Sequence, residues 1–266
     1  MRAVSRTRVI EGRGLLTLAL IGAVGLSALS IPWGDDLIHP GGGAAALQVI
    51  ESLASLDLSP GFLRITASAA WTTVKFAVAG VTLALVIGLP LGVAASGVLA
   101  RSGGRRITSI VLARFVLALL RSVHELVWAW LFVVAIGLSP VAVILALALP
   151  YAGILGRVFA DVLTDVPEEP LRALRSAGAS ELKVLAYGRL PIALPDMLGY
   201  AFYRLECAIR SAAIFSFVGI QGLGYQIQLS LDDLLFHQVW TLLIALAVLV
   251  LLVDAWSSQV RRRLVS

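Results

Sequence analysis

The chain has 266 residues, of which 59% are hydrophobic and 14% charged, with a formal net charge of +5 and a mean hydropathy of +0.94. So large an apolar excess excludes an ordinary soluble globular domain, because it needs lipid to face. The pI near 9.9 does not indicate nucleic-acid binding either: the cations cluster beside apolar runs, where the preference for basic cytoplasmic loops accounts for them.

A hydrocarbon layer roughly 30 Å thick needs about 20 mostly apolar residues per crossing helix. In chain order the candidate spans run from Leu15 to Trp33, Ala69 to Leu99, Ile107 to Leu138, Pro140 to Phe159, Met197 to Ile220 and Phe236 to Trp256. Six crossings put both termini on one side. Short basic loops stay in the cytoplasm, and Arg2, Arg6, Arg8 and Arg13, then Arg101, Arg105 and Arg106, then Arg172, Arg175, Lys183 and Arg189, and finally Arg261, Arg262 and Arg263 all fall on that side. The opposite loops carry Asp35, Asp36, Glu51, Asp57, Asp232 and Asp233, with Arg64 as the one clear cation.

The expected fold is therefore all-α and polytopic, with about six transmembrane helices. Residues 1–14 form a cytoplasmic N-terminus, 15–33 a first span, 34–68 an external segment, 69–258 the core transmembrane domain with a cytoplasmic loop at 161–195, and 259–266 a basic cytoplasmic tail. Gly41 to Gly43 and Ser59-Pro60-Gly61 punctuate the external segment. The basic start and following apolar run also describe a signal peptide, but the six-span charge pattern requires that the segment stay. Cys207 is the single cysteine, so neither an intramolecular disulfide nor a cysteine metal cluster is expected. No catalytic residue and no metal site is expected.

The informative polar segment is DVLTDVPEEPLRALRSAGASELKVLAYGRLPIALP, residues 161–195. Leu171, Leu174, Ala177 and Ala179 recur at roughly helical spacing, a turn follows at Gly178 to Ser180, and a second helical run over Glu181 to Leu190 is expected to stop at Pro191 and Pro195. A compact amphipathic hairpin on the cytoplasmic face has little reason to exist unless something docks on it.

This segment resembles the cytoplasmic loop of ABC importer permeases, whose pattern is Glu-Ala-Ala, three residues, Gly, nine residues, Ile, one residue, Leu-Pro. Anchored on Gly178, the pattern falls on Arg172-Ala173-Leu174 and on Gly188-Arg189-Leu190-Pro191. Arg172 stands where the family has Glu, with Glu168 and Glu169 one turn earlier as substitutes, and Gly188 stands where it has Ile. RSVHELVWAWLFVVAIGLSP at 121–140 and YRLECAIRSAAIFSFVGIQGLGYQI at 203–227 are similar to the phosphonate-type permeases in particular.

The resemblance implies a type I importer permease in a bacterial inner membrane, working as a homodimer with two cytoplasmic ATP-binding subunits and an external solute-binding protein. Arg172, Ala173, Leu174, Ala177, Gly178, Ala179, Leu190 and Pro191 would couple to the ATPase. The implied cargo is a phosphonate, with phosphite or phosphate as alternatives. This chain would bind no cofactor, ATP and magnesium being used by the partner ATPase; the sequence agrees in having no G-x-x-x-x-G-K-[ST] phosphate cradle. An ATP-independent secondary transporter is the rival, and it leaves the docking hairpin unexplained.

Ionisable groups inside spans are expensive unless paired or hydrated, and so point to function. Arg121 and Glu125, and Glu206 and Arg210, are each four apart and are expected to share a helix face. Two readings stand: the pairs hold helices together, or Arg121, Arg204 and Arg210 line a path for a phosphorus oxyanion while Glu125 and Glu206 prevent tight trapping. The guanidinium fork matches tetrahedral oxyanion edges. His124 occupies a place usually held by proline in the related permeases and reads as a spacer or kink. Gly219, Gly222 and Gly224 read as a turn at the outer mouth or as a gating contact. Gly80, Gly88, Gly92 and Gly97 suit close helix packing in lipid, and Pro90 a kink.

Overall fold

The computed structural model describes residues 7–31, 42–99, 104–215 and 221–265. Arg2, Arg6, Asp35, Asp36, Gly41, Arg101 and Gly219 lie outside the described residues. The chain divides into two compact units, Met1–Glu51 and Ser52–Ser266. The first holds two helices, α1 (Thr7–Ser30) and α2 (Gly42–Glu51). α2 lies in the stretch expected to be an external segment.

The second unit contains α3 (Pro60–Ser96), α4 (Gly104–Ser122), α5 (Glu125–Ile136), α6 (Pro140–Asp165), α7 (Glu168–Ser176), α8 (Glu181–Val184), α9 (Leu190–Phe215), α10 (Leu223–Asp232) and α11 (Phe236–Val265). No strand occurs among the described residues. Three helices are long and apolar enough to cross a bilayer by themselves: Pro60–Ser96, Pro140–Asp165 and Phe236–Arg263. The other expected crossings rest on shorter apolar helices, Gly14–Ser30 and Glu125–Ile136, and on α9, which carries internal charges.

α3 begins nine residues before the apolar run that marks it, because Ser59 caps it by accepting the Phe62 N–H at 3.4 Å and Pro60 fills the first turn, where no N–H is needed. Its 37 residues reach about 55 Å, well beyond the hydrocarbon layer. Pro90 sits inside an unbroken helix.

α6 is the core element, with Leu147, Leu155 and Leu163 fully buried. Lipid supplies no hydrophobic drive between helices, so contact must come from close packing. Glycines provide it. A Cβ at Gly88 would stand 2.9 Å from the Ala152 carbonyl oxygen, and one at Gly156 would stand 2.8 Å from the Gly88 oxygen and 2.5 Å from Leu117 Cδ2. Gly156 thus lets α6 touch the backbone of α3 on one side and a side chain of α4 on the other.

The expected third span is not one helix. It breaks at Val123 and His124, and His124 is the N-cap of α5: its Nδ1 accepts the Leu126 N–H at 3.3 Å, and its carbonyl accepts from Val127 and Trp128. The kink reading of His124 thus gains a mechanism, since a capping side chain satisfies a donor that would otherwise face lipid.

At the far end from the polar loop, α10 docks on α3 through the Leu223 N–H, which donates to the buried Thr73 Oγ1 at 3.1 Å. Asp57 accepts from Ser59 N–H at 3.0 Å and from the Gln238 amide at 3.1 Å, which ties the connection before α3 to α11.

Gly156→Val and Gly88→Val should each lower the thermal stability of the purified protein by about 1–3 kcal/mol, because the clash is with backbone. Gly61→Ala, where nothing lies within 4 Å of an added Cβ, should leave it unchanged. A Gly156→Val melting temperature equal to wild type would contradict this packing.

Candidate functional site

Two places hold the expected functional residues: the polar hairpin after α6 and a charged cluster on α9. At the hairpin, Arg189 is the organising side chain. It is 6% exposed, and it donates to the Leu163 carbonyl at 2.7 Å and to Glu168 Oε1 at 2.7 Å. Leu163 lies in the last turn of α6, where carbonyls have no helical partner. Glu168 lies in the first turn of α7, where a negative charge suits the helix dipole.

The other Glu168 oxygen accepts from Arg175 at 2.8 Å, and Arg175 also forks onto both oxygens of Glu181 at 3.2 and 3.3 Å. Arg175 foremost, with Arg189 adding to it, holds the Glu168 carboxyl below the usual carboxylate range. Both Glu168 oxygens are thus engaged within the chain, and Glu168 and Glu169 both remain exposed.

α7 ends in a Schellman turn. Gly178 N–H donates to the Arg175 carbonyl at 3.0 Å and Ala179 N–H to the Leu174 carbonyl at 3.1 Å, with Gly178 at φ +82°. That left-handed conformation costs an L residue about 1–2 kcal/mol. No atom lies within 4 Å of a Cβ built at Gly178, so its outer side is open. Arg172, Ala173, Ala177 and Pro191 are exposed, Leu174, Ala179 and Leu190 half-buried, and Leu171 is fully buried. Leu171 and Leu174 account for the departure at Gly188: a Cβ there would meet their Cδ atoms at 2.8 and 2.9 Å. The leucines fill the space that a larger side chain would occupy.

The second arm does not stop at Pro191. α8 passes through a π turn at Leu185–Arg189, where the Leu190 N–H reaches back to the Leu185 carbonyl, and continues into α9 through Pro191 and Pro195. The wider turn absorbs the region where Pro191 offers no N–H. Hairpin and membrane helix are thus one continuous element.

Along α9, Arg210 pairs with Glu206 at 3.2 Å, the i,i+4 contact expected from the sequence. Arg121 and Glu125 do not share a helix, because the break at His124 separates them; Arg121 is exposed in the last turn of α4. Glu125 instead accepts from Ser211 Oγ at 2.7 Å. With its proton committed there, Ser211 takes a bond from the Tyr151 hydroxyl at 3.2 Å, so α5, α6 and α9 share one polar chain. Arg204 lies 5.3–5.7 Å from the ring centres of Tyr151, Tyr200 and Tyr203 and donates to Tyr200 Oη at 2.8 and 3.1 Å. Among the described residues no carboxylate pairs with it. Aromatic faces stabilise a cation without cancelling its charge.

Gly222 adopts extended backbone as the N-cap of α10, and Gly224 is already helical.

Tyr151, Ser211, Arg175 and Arg189 were not among the expected site residues, and Glu168 was expected only as a substitute for the family's Glu. The sequence offered one signal, the Glu168–Arg175 spacing of two helical turns; nothing local connects Tyr151 with Ser211, sixty residues on.

Residues 84–266 match the family described as binding-protein-dependent transport system inner membrane component. A phosphite transport system permease protein of Stutzerimonas stutzeri is 30% identical over 268 residues, covering 98% of this chain and 95% of that protein. A second Stutzerimonas stutzeri permease named for phosphite transport is 37% identical over 153 residues, which is 58% of this chain and 59% of that protein's length. Among solved structures, an inward-facing form of the MetNI methionine ABC transporter shares the fold with a TM-score of 0.67 at 23% identity, covering 78% of this chain and 99% of that one.

A depressed Glu168 pKa adds stability that is fully present above the unfolded carboxyl value of about 4.3 and lost as pH falls through the lower folded value. Hydrogen-exchange protection over 171–189, corrected for intrinsic rates, should hold from pH 7 to about 5 and decay only below about 4. Glu168→Gln should lower it at neutral pH by about 1 kcal/mol and remove the decay. Protection that titrates above pH 5 in the wild type would contradict the clamp.

Proposed function

The chain belongs to the family of inner-membrane components of binding-protein-dependent transport systems, and from that premise we propose that it is the permease subunit of an ATP-driven importer carrying a phosphite or phosphonate anion into the cytoplasm. As a multi-pass permease component it works with ATPase and binding-protein partners. The finer reading is a homodimer with two cytoplasmic ATP-binding subunits, one external binding protein and both termini inside.

One observation carries this reading: the hairpin is locked to α6 and α9 by Arg189 while its Gly178 side is left open. Arg172, Ala173, Ala177, Gly178 and Pro191 present that open side to the ATPase, and Leu174, Ala179 and Leu190 support it from behind. A surface held this firmly, with no described residue within 4 Å of a Cβ at Gly178, suits a docking partner. Because α8 runs into α9, movement imposed at the hairpin reaches Arg204, Glu206 and Arg210 without crossing a loop.

Arg204 is the strongest substrate-contacting candidate, being half-buried and, among the described residues, without a carboxylate partner. Arg210 is offset by Glu206, and Arg121 and Glu125 belong to different helices, so the path is a graded set of charges in which Arg204 has most left to offer an oxyanion. Gly222 and Gly224 shape the outer mouth, with Gly219 beside them in sequence. Both relatives described above are named for phosphite, which shares its tetrahedral anionic head with the phosphonates.

Reconstituted with its ATPase and binding protein in vesicles, the chain should take up labelled phosphite or phosphonate only with ATP. Gly178→Pro should abolish uptake, since proline cannot adopt the left-handed turn and loses the N–H bond to Arg175. Arg204→Gln should cut uptake roughly tenfold or more while the complex still assembles. Equal uptake without ATP would overturn the reading in favour of a secondary transporter.

A further inference from the structure

A second cationic site lies at the other end of the molecule. Arg64 stands near the start of α3, and at 1.5 Å per residue it is roughly 48 Å along the helix from Ser96, next to the hairpin. It lines a cavity of about 410 Å³ between α3 and α10, with Ser68 from α3 and Gln221, Tyr225 and Gln226 from the α10 side. The walls are held together by the buried Leu223 to Thr73 bond. Every one of these five side chains can donate a hydrogen bond, and among the described residues no carboxylate lines the cavity.

The stripe continues inward. Residues 64, 68 and 75 fall within about 40° of one another around an α-helix, so Lys75 lies on the Arg64 face some 16 Å further along. Lys75 is an exposed cation within a membrane-spanning helix, and no ion pair among the described residues includes it or Arg64. A lysine so placed is costly unless it meets an anion or water. A net positive cavity, whose polar side chains can all donate and which is backed by a deeper cation, has the chemistry of a site for a tetrahedral oxyanion.

We propose that Arg64, with Ser68, Gln221, Tyr225 and Gln226, forms an outer receiving site for a phosphorus oxyanion, from which Lys75 draws the anion inward. This rests on the importer reading above. It adds a stop that precedes Arg204 and gives the acidic outer face its one cation a task. A phospholipid headgroup offers the same phosphate chemistry, so the experiment separates the two sources.

The test uses the whole transporter, permease with ATPase and binding protein, in vesicles of phosphatidylcholine with or without phosphatidylglycerol, and labelled phosphite as the probe. Arg64→Gln should reduce ATP-dependent uptake roughly tenfold in both lipids, while binding-protein-stimulated ATP hydrolysis stays within about twofold of wild type. Arg64→Lys should restore part of the loss, and Lys75→Gln should reproduce it. Uptake by Arg64→Gln within twofold of wild type would overturn the proposal. So would a defect seen only with phosphatidylglycerol, which assigns the site to a headgroup, or a parallel loss of stimulated ATP hydrolysis, which makes Arg64 a contact for the binding protein. Wild-type failure to transport any phosphorus oxyanion would instead defeat the importer reading itself.

Discussion

Arg189 is a buried cation that satisfies two helix ends at once, taking an orphan carbonyl of α6 through Leu163 and the acidic first turn of α7 through Glu168. Its carboxylate partner is half-exposed, so the pair is partly screened and the Leu163 carbonyl is the buried half of the clamp. Arg175 extends the clamp to Glu181 across the Gly178 turn, so both arms of the hairpin are bound to the same carboxylate system. The hairpin combines charge-assisted bonds with burial of Leu171, Val184 and Leu185 in the main core, where Leu171 and Leu174 also close on Gly188.

The consequence lies in continuity. Prolines at 191 and 195 would ordinarily end a helix, yet α8, the π turn and α9 run on, because the π turn shifts the bonding pattern just where Pro191 offers no donor. On the importer reading, α9 becomes a lever whose outer arm carries Arg204, Glu206 and Arg210 and whose inner arm carries the docking surface. Tyr151, Ser211 and Glu125 link the same helix to α5 and α6, so displacement of α9 would be felt by both through directional bonds rather than only through apolar contacts that can slide.

Composition and the spacing around Gly178 made the membrane class, the hairpin and the family legible in the sequence. The glycines of α3 were equally readable, since Gly88 meets Gly156 at a separation that only small residues permit. What the sequence hid were the features decided by tertiary contact. The break at His124 looks like the middle of an apolar run, because an imidazole cap is recognisable only once the turn around it is known. Arg189 and Arg175 counted as loop cations in the topology, although both are consumed internally. The Arg121 and Glu125 pairing failed for the same reason: i,i+4 spacing matters only where the helix is unbroken.

The central claim is that residues 181–215 move as one body when nucleotide binds to the partner ATPase. The most direct measurement is a pair of experimental structures of the assembled transporter, nucleotide-free and ATP-bound, superposed on Glu181 to Val184 alone. The account predicts that Arg204 and Arg210 then coincide in the two states, with the Arg189–Leu163 and Tyr151–Ser211 bonds kept. A bend at Leu185–Arg189 that leaves α9 in place while the hairpin rotates would contradict it.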